Sequence, residues 1–155
     1  MLFRSRNFSD VNLLPRAVSD RPGTIAFQCI GADSGRIPAA GSQKAIGDDS
    51  IIEVETIQLD DLIGEEMVDF LKVDIEGAEL DVLASSRKLH QVQQLFIEYH
   101  SFLSTPQRLS SLLAILEKEG FRYYINKIYS PTNPYLEITS NCSMDLQLSI
   151  FATRA

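Results

Sequence analysis

The hydrophobic positions of this chain fall into short runs with strand-like or helix-like spacing. Runs rich in β-branched and aromatic residues predict strands at residues 11–18, 24–30, 51–57, 69–75, 95–99, 121–125 and 146–152. Apolar residues three or four positions apart predict helices at residues 59–63, around Leu80 and Leu83, and at residues 105–120. Strands and helices alternate from residue 69 onward, which predicts an α/β domain with a largely parallel sheet.

The helix at residues 105–120 has the clearest boundary signals. Thr105 is a typical N-cap residue, Pro106 suits the first turn, and Gly120 ends the helix. Leucines at the spacing of a core-facing stripe lie between them, at Leu109, Leu112, Leu113 and Leu116. Residues 31–50 have no apolar period and predict a long loop, so that strands 24–30 and 51–57 form a wide hairpin. No repeat or linker divides the chain, and we expect residues 1–155 to form a single domain.

Charge and composition narrow the class of partner. The 155 residues carry a formal net charge of −7 and no basic run, which disfavours binding to nucleic acid and to anionic membranes. No apolar run approaches the ~18 residues of a membrane span, and the first residues lack the pattern of a secretory signal. Cys29 and Cys142 are far apart, and we expect reduced, half-buried thiols and a cytoplasmic location.

The candidate chemistry lies at the predicted carboxyl ends of two strands. Asp74 and Glu76 follow one strand, and their side chains share a face if that strand persists to Glu76. Gly77 permits a sharp turn, and Glu79 would lie in the first helical turn, where a negative charge is favoured. His100 closes the neighbouring strand. Because ligands of parallel α/β sheets collect at these strand ends, acids and an imidazole should converge on one site.

Several interpretations of these acids and this histidine remain open. Asp74, Glu76 and His100 are each candidates for a proton acceptor, and the sequence offers no reason to choose among them. In a purely structural reading, the acids solvate a strand end and cap a helix, and the histidine is structural. A divalent cation held by Asp74, Glu76 and Glu98 is a further alternative. Nothing else in the chain is typical of phosphate handling, and we assign no metal ligand from the sequence.

A resemblance to a known family rests on the segment at residues 70–83, FLKVDIEGAELDVL. This segment resembles the signature of the FkbM-type methyltransferases, and other stretches resemble that family in the same order, at residues 17–20, 23–25, 56–62, 97–100 and 120–121. The resemblance extends from about residue 11 to about residue 151. It implies a Rossmann-like class I fold that uses S-adenosyl-L-methionine, in most members to O-methylate sugars or natural products.

The resemblance also implies roles for particular residues. Ser19 and Asp20 would follow the third strand of the family's sheet and bind the adenine end of the cofactor, and Asp74 would follow the fourth strand and face the methionine end. Asp74, Glu76 or His100 would remove the proton from the acceptor hydroxyl. The family's sheet has the strand order 3-2-1-4-5-7-6, and this chain resembles strands 3 to 7 only, without the Gly-rich first turn. It therefore resembles an N-terminally truncated domain.

The absent strands have a physical consequence. Strand 69–75 is expected to lose its central neighbour and to expose an edge, which invites pairing with another chain. Strand 11–18 could move in beside it, a second copy or another partner chain could cover it, or the chain could be marginally stable. Two functional hypotheses follow. One is a methyltransferase of the FkbM type. The other is a truncated or partner-dependent fragment without catalytic activity, which the missing Gly-rich turn favours for the isolated chain.

Overall fold

A computed structural model describes residues 11–30, 34–36, 51–136 and 140–154. The strands are β1 (Ala17–Val18), β2 (Thr24–Ile30), β3 (Ser34–Arg36), β4 (Ile51–Ile57), β5 (Val68–Val73), β6 (Val92–Phe102), β7 (Arg122–Tyr129) and β8 (Met144–Thr153). The helices are α1 (Leu59–Ile63), α2 (Glu79–Ser85) and α3 (Leu109–Lys118), and a 3₁₀ turn at Leu89–Gln91 precedes β6. The element types agree with the hydrophobic pattern except at β3, which lies within the loop predicted at residues 31–50; the rest of that predicted loop lies outside the described residues, and most other differences lie at the ends of elements.

The strands form two sheets, whereas the sequence predicted one largely parallel sheet. The first sheet has the order β1-β4-β2-β3, and the second has the order β5-β6-β8-β7. In the second sheet β5 and β6 are the one parallel pair of neighbours, and β8 inserts between β6 and β7 and runs antiparallel to both, so that β7 has the same direction as β5 and β6. The predicted pairing of residues 24–30 with residues 51–57 is confirmed, since β2 and β4 are antiparallel neighbours.

The strand predicted at residues 11–18 is reduced to Ala17–Val18. This short β1 runs parallel to β4, with Ala17 opposite Thr56, and so it does not move in beside β5. The Ser19 amide continues the pairing by donating to the Ile57 carbonyl at 3.0 Å. Among the described residues, β5 pairs only with β6, and its other edge has no neighbouring strand.

The core lies between the second sheet and the helices. Side chains of β6 and β8 that point to this side, such as Leu95, Ile97 and Ile150, are almost completely buried. The predicted leucine stripe meets them, since Leu112 and Leu116 are completely buried and Leu109 and Leu113 are partly buried against the same cluster. The periodicity of residues 105–120 therefore identified the core-facing side of α3 correctly.

The start of α3 differs from the prediction. The N-cap position is Arg108, with no side-chain cap, because the Thr105 hydroxyl donates instead to the Phe102 carbonyl at 3.3 Å. The Arg108 amide donates to the Tyr99 hydroxyl at 3.0 Å, and the Arg108 guanidinium pairs with Asp81 at 2.9 Å. The Tyr99 hydroxyl thus accepts from one backbone amide at the start of α3, and the ion pair attaches Arg108 to α2.

The other face of the second sheet is open among the described residues. The strand register aligns one row across all four strands, consisting of Lys72, Phe96, Phe151 and Tyr124. The Phe96 and Phe151 rings meet edge to face with centroids 5.0 Å apart, and the Lys72 ammonium lies 5.9 Å from the Phe96 centroid. Tyr124 and Phe151 remain 61% and 44% exposed, so this aromatic row is accessible.

Two compositional expectations can be compared with the structure. None of the helices in the described ranges is long and apolar enough to cross a membrane. Cys142 is a free thiol but is exposed, so the expectation of a half-buried side chain is wrong at this position. Cys142 lies in the turn before β8, where its backbone has a positive φ of 51° and its side chain does not reach the core. The side chain of Cys29 lies outside the described part of the structure.

Candidate functional site

The predicted site residues Asp74 and Glu76 lie in a turn and not in a strand. β5 ends at Val73, so the expected strand face shared by the two acids does not form. The physical reason is the backbone after Val73, where Glu76 and Gly77 have φ values of 53° and 103°. Such left-handed conformations interrupt a strand and reverse the chain direction. The Asp74 carboxylate pairs with the Lys72 ammonium at 3.0 Å.

Gly77 brings this turn close to the end of β6. A Cβ atom built at Gly77 would lie 2.8 Å from the Phe102 ring, which is closer than packed carbon atoms approach. The Gly77 amide donates to the Glu79 Oε1 atom at 2.9 Å. The tight turn expected at Gly77 is therefore present, and the backbone there approaches the Phe102 ring closely. The turn is also hydrogen-bonded to Glu79, the first residue of α2.

Glu79 and His100 form a buried pair beneath this turn. The His100 Nδ1 atom lies 2.9 Å from the Glu79 Oε1 atom, and the two side chains are 2% and 1% exposed. Because a carboxylate only accepts hydrogen bonds, this contact assigns the hydrogen of the neutral imidazole to Nδ1. The other ring nitrogen, Nε2, is left with its lone pair directed toward the turn.

The surroundings of His100 raise the pKa of its imidazole above the usual value of 6.5. Burial acts in the opposite direction, since it disfavours the imidazolium form. The hydrogen bond and negative charge of Glu79, together with the charges of Glu76 and Asp74, outweigh that effect. His100 thus becomes a stronger proton acceptor than an exposed histidine.

The Nε2 side of His100 faces the two predicted acids. The Glu76 carboxylate lies 4.0 Å from Nε2, and the Gln147 amide nitrogen lies 3.4 Å from it. Potential ligand atoms of Asp74, Glu76 and His100 all lie within 4.8 Å of one another. The structure therefore brings together all three residues that the sequence singled out for proton transfer, while Glu98 lies outside this group.

Two clefts adjoin this group. The larger, of about 590 Å³, is lined by Glu76 and Gly77 on one side and by Phe102 and the hydroxyls of Ser104 and Thr105 on the other. The smaller, of about 160 Å³, contains His100 in its lining. A small molecule in the larger cleft would contact the turn that carries the acids.

The residues predicted to bind the adenine end of a cofactor lie elsewhere. Ser19 and Asp20 follow β1, where the Ser19 hydroxyl donates to the Asp20 carboxylate at 3.1 Å. The Gln58 side chain fixes this turn by donating to the Asp20 carbonyl at 3.0 Å. Neither residue lines either of the two clefts beside Asp74. Within the described ranges, neither of these two clefts brings Ser19, Asp20 and Asp74 together.

Sequence reasoning missed the main role of Glu79. Its place in the first turn of α2 is as expected, but its carboxylate is buried against His100 and does not face solvent. The two residues are 21 positions apart, and no local pattern links them. The sequence does show acids and a histidine after neighbouring strands, which indicates that a carboxylate contacts the histidine. That pattern does not show whether the contact is made by Glu79, by Asp74 or by Glu76.

Comparison with known families agrees with this arrangement. The sequence profile described as "Methyltransferase FkbM domain" matches residues 8–123, which is more than half of the chain and includes Asp74, Glu76, Glu79 and His100. Comparison with curated proteins and with solved structures yields no match. Because the profile spans β1 through the start of β7, the match does not depend on the signature segment alone. The chain belongs to the FkbM methyltransferase domain family.

Proposed function

We propose that the chain acts as an S-adenosyl-L-methionine-dependent O-methyltransferase on a hydroxyl of a sugar or small natural product in the cytoplasm. The observation that carries this proposal is the buried Glu79–His100 pair beside an accessible cleft in a member of a methyltransferase family. O-methylation requires removal of the hydroxyl proton as the methyl group is transferred, and a positioned imidazole is well suited to accept it.

In this proposal His100 is the base and Glu79 is its positioning residue. Glu79 holds the hydrogen on Nδ1, which directs the Nε2 lone pair toward the acceptor, and its charge stabilises the imidazolium that forms. A base in this position contributes about 10²- to 10⁴-fold to a rate. Asp74 and Glu76 remain alternative bases, since both lie on the same side of the imidazole.

The strand order of the second sheet supports a Rossmann-like fold. In that fold the strand order includes the sequence 4-5-7-6, with strand 7 antiparallel. The observed order β5-β6-β8-β7, with β8 antiparallel to both neighbours, agrees with this part of the sheet. β1 would then be strand 3, although here it pairs with β4 in the other sheet.

The described residues fit only part of the expected cofactor. S-adenosyl-L-methionine supplies a methyl group on a positively charged sulfur, and carboxylates such as Asp74 and Glu76 suit a cationic ligand. Ser19 and Asp20 do not line the clefts beside these acids, and Ser19 already donates its hydroxyl hydrogen to Asp20. These residues therefore do not form a complete cofactor site in the described part of the chain.

Calorimetric titration of S-adenosylhomocysteine into the purified, folded chain tests the proposal. We expect micromolar binding that Asp74→Asn weakens, because the carboxylate is the predicted contact of the methionine end. Asp69→Asn is the matched control, since Asp69 is also an exposed acid of this segment but lies at the opposite, N-terminal end of β5. Absence of heat at high ligand concentration would overturn the proposal for this chain by itself and would favour the second candidate.

The second candidate is a partner-dependent fragment that lacks activity by itself. The free edge of β5 and the exposed aromatic row on the same sheet favour it, because both offer surfaces that a second chain can cover. A second copy or another chain that pairs with β5 would restore a central position to this strand. Methyl transfer or S-adenosylhomocysteine binding would then require that partner.

A further inference from the structure

We propose that Asp74, Glu76 and the Nε2 atom of His100 bind one divalent transition-metal cation. Ligands of a single cation lie about 2.0–2.2 Å from it, which places neighbouring donor atoms roughly 3 Å apart. Here the donor atoms already lie within 4.8 Å of one another. The Asp74 and Glu76 side chains are both exposed, so the proposal requires only that they rotate toward the His100 Nε2 atom.

The imidazole makes this group more than a set of surface acids. His100 is almost completely buried, and its Nδ1 atom is held by the buried Glu79 carboxylate at 2.9 Å. A metal-binding histidine typically donates its other ring N–H to a carboxylate in this way, which fixes the tautomer and orients the ring. Glu79 therefore presents the Nε2 lone pair of His100 to the two exposed carboxylates.

Neighbouring groups set the conditions for binding. The Lys72 ammonium occupies one oxygen of Asp74 at 3.0 Å and leaves the second oxygen available. The Gln147 amide nitrogen lies 3.4 Å from Nε2, a long contact that a cation would displace. Glu98, which sequence analysis considered as a ligand, acts instead on Lys72, whose pKa is raised by its hydrogen bond to Asp74, by the charge of Asp74 and by the charge of Glu98.

The donor set indicates the kind of metal. One imidazole with two carboxylates suits cations such as Zn²⁺, Co²⁺ or Mn²⁺, whereas Mg²⁺ and Ca²⁺ prefer oxygen ligands alone. A cation on Nε2 and a proton on Nε2 exclude each other. The metal-bound chain would therefore lose His100 as a proton acceptor, so metal binding and the proposed proton transfer use the same residues in mutually exclusive states.

Calorimetry of the metal-free full chain with Zn²⁺ alone tests the proposal, and visible absorption of Co²⁺ reports the ligands. We expect one bound ion per chain. Asp74→Asn and Glu76→Gln should each weaken binding by about tenfold or more, because loss of even an outer-shell partner of a metal ligand costs about 10- to 100-fold and these residues are direct ligands. Lys72→Gln should strengthen binding, because it removes a competing positive charge. Circular dichroism shows whether each variant is folded.

Asp81→Asn is the matched control, since Asp81 lines the same large cleft but pairs with Arg108 and lies outside the group. His90→Gln removes the exposed histidine and should also leave the affinity unchanged. Absence of Zn²⁺ binding to the wild-type chain, or unchanged binding in the double variant Asp74→Asn/Glu76→Gln, would overturn the proposal. Neither result affects the titration with S-adenosylhomocysteine, which contains no metal.

Discussion

At the scale of single residues, the site depends on a few buried polar atoms. The Glu79 carboxylate connects the turn after β5 to β6 because Oε1 accepts from the Gly77 amide and contacts the His100 ring at 2.9 Å each. A buried carboxylate is unfavourable unless it is hydrogen-bonded, and these contacts compensate for its desolvation. One side chain therefore both shapes the turn and determines the acid–base properties of His100.

Replacement of Glu79 tests this dual role. In Glu79→Gln we expect the pKa of His100 to fall, because burial is then opposed only by the charges of Glu76 and Asp74. NMR titration of the imidazole in metal-free buffer measures the change, with the exposed His90 as an internal reference. Glu76→Gln should lower the pKa of His100 less, because Glu76 lies farther from the ring and is exposed. An equal pKa shift in both variants would contradict the role of Glu79.

Gly77 provides a second test at the same scale. Gly77→Ala should reduce the free energy of unfolding by about 2–3 kcal/mol, because it combines a left-handed backbone with contact at the Phe102 ring. Gly120→Ala is the control, since Gly120 follows α3 with a φ of 79° and an added Cβ there meets only the Arg154 guanidinium at 3.4 Å, and it should cost about 1 kcal/mol. Urea denaturation measures both. Equal losses would show that Phe102 imposes no constraint.

At the scale of elements, a few side chains join segments that are distant in sequence. Asp60 of α1 accepts hydrogen bonds from the Ser86 hydroxyl at 2.6 Å and from the Arg87 amide at 3.1 Å, which fixes α1 to the end of α2. Arg154, which follows β8, donates to the carbonyls of Val92 and Leu89 at 2.8 Å each. Such contacts hold the helices against the second sheet and so hold α2, which carries Glu79.

Arg154 allows a prediction about this attachment. Its guanidinium also donates to the Glu119 carbonyl and lies 4.2 Å from the Phe121 ring centroid, so it bonds three carbonyls at once. Arg154→Lys keeps the positive charge but loses the planar guanidinium group, so a lysine cannot bond all three carbonyls. We expect the free energy of unfolding to fall by about 2 kcal/mol. Arg122→Lys, at an exposed position in β7, should change it by less than about 0.5 kcal/mol. Thermal and urea unfolding compare the two variants.

At the scale of the whole molecule, the second sheet has one covered face and one open face. The helices pack on the first, while the aromatic row occupies the second and reaches the unpaired edge at β5. An accessible apolar row beside a free strand edge is a surface at which sheets associate. Self-association through β5 is the simplest form of the partner proposal, because it requires only a second copy of this chain.

Light scattering coupled to size-exclusion chromatography tests that association. We expect the wild-type chain to elute above its monomer mass of 17.3 kDa as concentration rises, and Phe70→Lys on β5 to restore the monomer. Tyr124→Lys is the matched control, because Tyr124 is exposed to a similar extent, 61% against 58%, but lies on β7 at the far side of the sheet. A wild-type monomer at all concentrations would refute pairing through this edge, and dissociation by both variants would place the contact on the open face.

Hydrophobic periodicity by itself determined much of the fold. The leucine stripe of α3 and the apolar runs of β2, β4, β5 and β6 were identified because helix and strand spacing is a local property of the chain. Residues 70–83 also led directly to the family, which the match over residues 8–123 confirms. Asp74, Glu76 and His100 were correctly grouped, because successive strand ends lie near one another at a sheet edge.

Only the tertiary structure decided how these parts combine. The end of β5 at Val73, the division into two sheets and the burial of Glu79 against His100 depend on contacts between residues far apart in sequence. A local pattern assigns a carboxylate to a turn or a helix end, but its partner is chosen by distance and burial in the folded chain. Composition and spacing therefore identified the residues of the site, whereas packing determined which carboxylate positions His100.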